Sequence, residues 1–307
     1  MKALSTRLKD ADRVPTRFTW FRRLFPMTHT NQYIVGNAQI MRVTERVIDM
    51  PAAKLFPDHQ AELARAGVRD NLPLSIHSWI VRMPERLIVI DTGIGNDRDR
   101  DGNPLFDHLH TDFAERLANA GVQREAVDMV VMTHLHIDHV GWNTYREGDH
   151  WRPMFPNARY VFSAHELDQW RHNPKRCAIL ADSLQPILDA GLSEPFDASH
   201  PVDLGDGLAR LATPGHSPDH SSIVLTSAGQ HAVFGGDVMH NPLQVENPHW
   251  NSTFCEDKPR ATVSRQRVLA WCVEHDALYF STHFADTSVG RIERTVSDSA
   301  HYSWRFA

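Results

Sequence analysis

Cysteine is scarce in this chain: Cys177, Cys255 and Cys272 are the only three in 307 residues, and no two stand in CxxC spacing. So small and odd a set cannot build the disulfide framework of a small secreted domain, and reduced thiols buried as small hydrophobes in a cytoplasmic protein are the simpler account. Long apolar runs are missing too. Nothing approaches the roughly 18 apolar residues of a membrane helix, and residues 1–20 alternate Arg, Lys and Asp with apolar residues where a signal peptide needs a continuous apolar segment. A basic excess is also absent. Lys and Arg number 32 against 38 Asp and Glu, and the formal net charge of -6 gives no general attraction to a phosphate backbone. No Gly-x-Ser-x-Gly turn presents a nucleophilic serine. These absences point to a soluble protein that acts on a small molecule, with neither nucleic acid nor membrane as partner.

What the chain does hold is histidine, 20 residues of it, and the densest cluster is Thr133-His134-Leu135-His136-Ile137-Asp138-His139. The apolar residues 129–132 before it read as a buried strand, and the polar cluster as the loop leaving that strand's end. In an extended turn His134 and His136 point to one side and can share an ion, while Asp138 and His139 can turn towards a second. Three later residues sit in equivalent places, where an apolar run gives way to a loop. They are His216 in Thr213-Pro214-Gly215-His216-Ser217, Asp237 in Gly235-Gly236-Asp237, and His283 in Ser281-Thr282-His283-Phe284. Imidazole and carboxylate suit zinc first, and manganese, iron and cobalt also accept them.

The order HLHIDH, TPGHS, GGD and STHF, spread over residues 76–283, resembles the metallo-β-lactamase superfamily of binuclear hydrolases. The resemblance implies an α/β fold, a four-layer αββα sandwich with two divalent metal ions at the edge of its sheets. In that pattern His134, His136 and His216 hold one metal, Asp138, His139 and His283 the other, and Asp237 bridges them. It also implies that Asp91, in Ile90-Asp91-Thr92-Gly93, supports the site from behind the ligands. Single residues set relatives aside. True β-lactamases of the superfamily usually carry Cys where Asp237 stands, diiron members carry Glu in place of His136, and glyoxalase-type thioesterases end in a longer helical domain.

The implied chemistry is hydrolysis of an ester or lactone of a small, hydrophobic or aromatic substrate by a metal-bridging hydroxide, with Asp138 orienting it. An organophosphate triester or an aryl halide is an alternative electrophile, and a metal-binding protein without turnover is the alternative class. His240, in Asp237-Val238-Met239-His240, stands where many acyl-homoserine lactonases carry Tyr and is more similar to the methyl parathion hydrolase and aryl-esterase branch. There it would stabilise an oxyanion or protonate a leaving alkoxide; its other reading is a supporting or surface histidine. Trp142, Asn143, Trp250, Phe254 and Phe284 are near enough in sequence to the ligands to line the mouth with His240. His77 and Trp79 share one strand face and could be packing or contact.

Residues 1–307 read as one domain, with 1–60 as an N-terminal covering or dimerisation segment. Its aromatic cluster of Phe18, Trp20, Phe21, Leu24 and Phe25 favours packing or a homodimer contact. Strands are expected over 34–40, 43–48, 76–82, 87–90, 159–162, 208–211, 222–225 and 231–234, and helices over 112–120, 164–172, 178–190 and 259–275. His108, His110, His165, His172 and His220 read as histidines of solvated loops.

Overall fold

The computed structural model describes residues 32–68, 70–295 and 298–307. In chain order its strands are β1 (Gln32–Val35), β2 (Ala38–Pro51), β3 (Asn71–Arg82), β4 (Leu87–Ile90), β5 (Met129–Val131), β6 (Thr144–Glu147), β7 (His150–Pro153), β8 (Arg159–Ser163), β9 (Ser193–Phe196), β10 (Asp203–Gly205), β11 (Leu208–Ala212), β12 (Ser221–Ser227), β13 (Gln230–Phe234), β14 (Leu278–Phe280), β15 (Val289–Thr295) and β16 (Asp298–Phe306). Strands β1 to β5 with β8 and β9 form one seven-stranded sheet, β10 to β16 form a second, and β6 pairs with β7 alone.

The short apolar strands explain the layering. In β4, Ile88 and Ile90 face the opposite sheet while Val89 packs outward; in β5, Met129 and Val131 face in and Val130 out; in β13, Ala232 and Phe234 face in and Val233 out. Apolar residues on both faces of a two-residue period require cover on both sides. Outside the first sheet that cover is Phe113 and Leu117 of the helix Phe113–Asn119 with Leu167 and Trp170 of the helix Ala164–Arg171. Outside the second it is Val268, Leu269 and Cys272 of the helix Lys258–Glu274. The architecture is the expected αββα sandwich.

Differences from the sequence reading have local causes. The strand expected over 34–40 breaks at Gly36, whose φ of +56° makes a turn and whose added Cβ would lie 2.1 Å from the Ser227 carbonyl oxygen. Residues 32–51 are therefore no cover but two strands of the first sheet, while the aromatic cluster at residues 18–25 lies outside the described residues. The helix expected over 178–190 is broken into Cys177–Ile179, a wide turn at Leu180–Leu184, and Gln185–Asp189. Pro186 has no amide hydrogen and crowds the carbonyl four residues earlier, which forces the widened turn. The hairpin of β15 and β16 was not foreseen.

Candidate metal centre

Four strand ends deliver the ligand-type residues to one edge of the sandwich. The loop after β5 carries His134, His136, Asp138 and His139, that after β11 carries His216, that after β13 carries Asp237, and that after β14 carries His283. Gly236, at φ +54°, lets the third loop approach closely: a Cβ there would lie 2.6 Å from His220 Nε2.

The ring nitrogens converge. His136 Nδ1 and His134 Nε2 lie 2.8 and 3.1 Å from His216 Nε2, so three imidazoles point at one place. Asp237 divides its carboxylate: Oδ2 is 3.2 Å from His216 Nε2 and 3.8 Å from His134 Nε2, whereas Oδ1 is 3.2 Å from His139 Nε2 and 3.0 Å from His283 Nε2. Asp138 completes the second group, 3.8 Å from both His139 Nε2 and His283 Nε2. His240 Nε2 stands 3.3 Å from Asp237 Oδ2, with its ring stacked on that of His283 at 5.3 Å.

Neighbours behind the ligands set their orientation. Asp91 Oδ2 lies 2.9 Å from His139 Nδ1 and also accepts from Thr133 Oγ1, and Asp91 Oδ1 accepts from the Thr133 amide. The Ser75 carbonyl takes His283 Nδ1 at 2.9 Å, which turns Nε2 into the site. Two residues that the sequence reading missed join the loops. His220, placed there among solvated loops, is fully buried; its Nε2 accepts the Asp237 amide at 2.8 Å, and its Nδ1 meets Thr213. Glu166 is buried, accepts from the amides of Leu135 at 3.0 Å and Asp219 at 3.2 Å, and takes the Ser217 hydroxyl. Ser163 at the helix start with Glu166 three residues on is a capping-box pattern, the one signal that could have marked that glutamate. Exposed His108, His110, His165 and His172 do stand on the surface.

Burial holds His134 and His216 well below the ordinary imidazole range, neutral with a lone pair to give. It pulls on His139 and His283 in the same sense, but Asp237 with Asp91 and Asp138 at the first, and with Asp138 at the second, raises both. Burial would raise Asp237, yet His283, His139, His216 and His240 hold it well below the usual carboxylate range. Among the described residues, His139 Nε2, Asp237 Oδ1 and both nitrogens of His240 are buried with no hydrogen-bond partner. Nitrogen and oxygen donors gathered this closely in a buried site form the arrangement that a cation between them would satisfy. His134 with His136 and His216, and Asp138 with His139 and His283, form compact groups that could each hold a divalent ion, so the donors fit two such ions.

The cavity above this edge, about 460 Å³, is lined by His136, Asp138, His216, Asp237, His240 and His283 on its floor. Its walls are Ile48, Met50, Leu74, Leu105, Phe106, Ile137 and Phe254, with Asn103, Arg176 and Glu256 at the polar side. Four residues expected at the mouth are not in this lining. Trp142 is buried against Phe113 and donates to Glu45 at 2.7 Å; Asn143 accepts from Thr92; Trp250 stacks on His59; Phe284 packs against Trp304 in the core. Loops that present metal ligands need anchors, and the large side chains next to the ligands serve as those anchors. His77 and Trp79 are likewise buried, both bound to the Ser281 carbonyl.

The family model described as the metallo-beta-lactamase superfamily matches residues 72–270. A "probable metallo-hydrolase" of Mycobacterium tuberculosis is 25% identical over 188 residues, 55% of this chain and 58% of the relative, so the chain spans little more than half of that relative's length. Among solved structures, AidC, a dizinc quorum-quenching lactonase, superposes with a TM-score of 0.73 at 20% identity over 91% of this chain and 97% of that one. AbOPH, a hydrolase in the beta lactamase superfamily, gives 0.75 at 23% identity over 92% and 99%. At these identities the likeness establishes the fold.

Proposed function

The chain belongs to the metallo-beta-lactamase superfamily, and from that premise we propose that it is a metal-dependent hydrolase that opens an ester or lactone bond of a small, hydrophobic or aromatic substrate. The observation that carries this reading is the divided carboxylate of Asp237, one oxygen facing His134 and His216 and the other facing His139 and His283, beneath a cavity with apolar walls.

His134, His136 and His216 would hold one divalent ion, Asp138, His139 and His283 the second, and Asp237 both; zinc is the ion we propose, on the donor set and on the description of AidC as dizinc. When bound, such a pair brings the pKa of a water towards neutrality and polarises the substrate carbonyl. Asp138, part-exposed to the cavity, would accept a hydrogen bond from the attacking hydroxide at its carboxylate and so fix the direction of attack. Burial pushes the His240 ring below its usual range, so it is neutral and carries one N–H, and its Nε2 stands 3.3 Å from Asp237 Oδ2. With Asp237 turned to the ions, that N–H would be donated to the carbonyl oxygen, or to the oxygen that leaves as the C–O bond breaks. Ile48, Met50, Leu74, Leu105 and Phe106 exclude water from the apolar part of the substrate.

Substitution of His240 by alanine tests the assignment. Loss of one such donor is worth about 100-fold or more in kcat, with metal content retained because His240 is not among the proposed ligands. Unchanged kcat on a lactone or phenyl ester would remove His240 from the reaction.

A further inference from the structure

The cavity mouth is chemically lopsided. Its lining is largely hydrocarbon, with Ile48, Met50, Leu105, Phe106 and Phe254, and it holds a single cation, Arg176. Its guanidinium has no carboxylate within ion-pair distance among the described residues. Glu256, the acid that shares the lining, has its Oε1 3.6 Å from His136 Nε2; that ring holds its carboxyl low, and the Arg176 charge helps, but from beyond ion-pair distance. Arg176 ends the short turn Pro174–Arg176, whose other residues are exposed. Its guanidinium lies over the ring of buried Trp170, 4.9 Å from the ring centroid. Its segment leads through Cys177–Ile179 into Leu180–Leu184, where buried Asp182 binds Arg98 at 2.8 Å and Arg100 at 2.6 Å. A placed, half-buried guanidinium without an acceptor, at the rim of an apolar cavity, is built to take an acceptor from the ligand.

Resting on the ester or lactone reading, we infer that Arg176 is a specificity-determining residue: the preferred substrate carries a carboxylate on its apolar portion, and Arg176 binds it while the ester faces the metal centre. The planar fork of Arg matches a carboxylate through two parallel N–H bonds, and the apolar lining of the cavity limits competition from water. The wall receives the chain between the two ends of the substrate.

The experiment compares two five-carbon acyl probes with the metal-loaded enzyme, the 4-nitrophenyl monoester of glutaric acid and 4-nitrophenyl pentanoate, which differ in a terminal carboxylate. Replacement Arg176→Ala is expected to raise KM for the glutarate ester about tenfold or more relative to the pentanoate. The kcat values should move together, and Arg176→Lys should restore part of the difference. Cleavage of the pentanoate by the same preparations reports that the variants are folded. Hydrolysis of both probes with a KM ratio that Arg176→Ala leaves unchanged overturns the role of Arg176 and leaves the ester reading standing. Failure of the native enzyme on both overturns the ester reading and this inference with it.

Discussion

Asp91 is not in the lining of the cavity above the site, yet it matters because His139 is raised well above the usual imidazole range partly by its charge. Burial opposes that shift, and the carboxylate at 2.9 Å fixes which nitrogen faces the site. Asp91→Asn keeps the shape and removes the charge, and the expected outcome is metal affinity weakened by about 10- to 100-fold in a chelator competition. Equal affinity would mean that the Asp91 contact is incidental. His220 offers a test by pH. Burial lowers its pKa to about 3, so in the folded chain it stays neutral while an unfolded chain takes up the proton near 6.5. Stability from this ring is therefore full above pH 6.5 and falls as pH drops towards 3. Between pH 8 and pH 5 the native protein should lose about 2 kcal/mol that a His220→Gln variant does not lose. Urea titrations of both at the two pH values measure it; parallel losses would refute the neutral buried ring.

The elements that hold the ligands are short strands followed by loops, and this is why the metal centre was legible: each ligand follows an apolar run in the sequence. Of the substrate wall, Phe254 alone was legible. Ile48 and Met50 come from β2, Leu74 from β3, Leu105 and Phe106 from the loop after residue 95, and Phe254 from the approach to the last long helix. No local pattern announces such an assembly, whereas aromatic residues beside the ligands attract notice and turn out to be anchors. Glu166 was hidden for a similar reason, since a glutamate in the first turn of a helix is usually solvated and only the packing of the His216 loop buries it. The segment Leu180–Leu184 is tied to the loop after β4 by the pairing of Asp182 with Arg98 and Arg100. Burial draws Arg98 down to about 10, and its carboxylate partner opposes that. Asp182→Ala leaves two buried guanidinium groups without their acid, and stability should fall by about 3–5 kcal/mol. Urea unfolding reads this directly, and a loss within about 0.5 kcal/mol would show the pair to be solvated in solution.

Over the whole molecule, the fold and the site share one logic: two sheets place the carboxyl ends of β5, β11, β13 and β14 along one edge, where imidazoles and carboxylates gather. His139 and His283 are raised above their usual range by their carboxylates, so binding of divalent ions must displace protons, and affinity should weaken as pH falls. Ions that bind only the folded chain also stabilise it, by about 4 kcal/mol at a free concentration 1,000 times Kd.

The most direct measurement is metal content per chain on reconstituted protein, taken with activity towards a lactone, an aryl ester, a phosphotriester and a chlorinated aromatic. About two divalent ions, with a lactone or ester preferred and activity lost to a chelator and restored by zinc, is the predicted result. A chain that retains no metal after reconstitution, or that cleaves its ester equally well without it, would contradict the account.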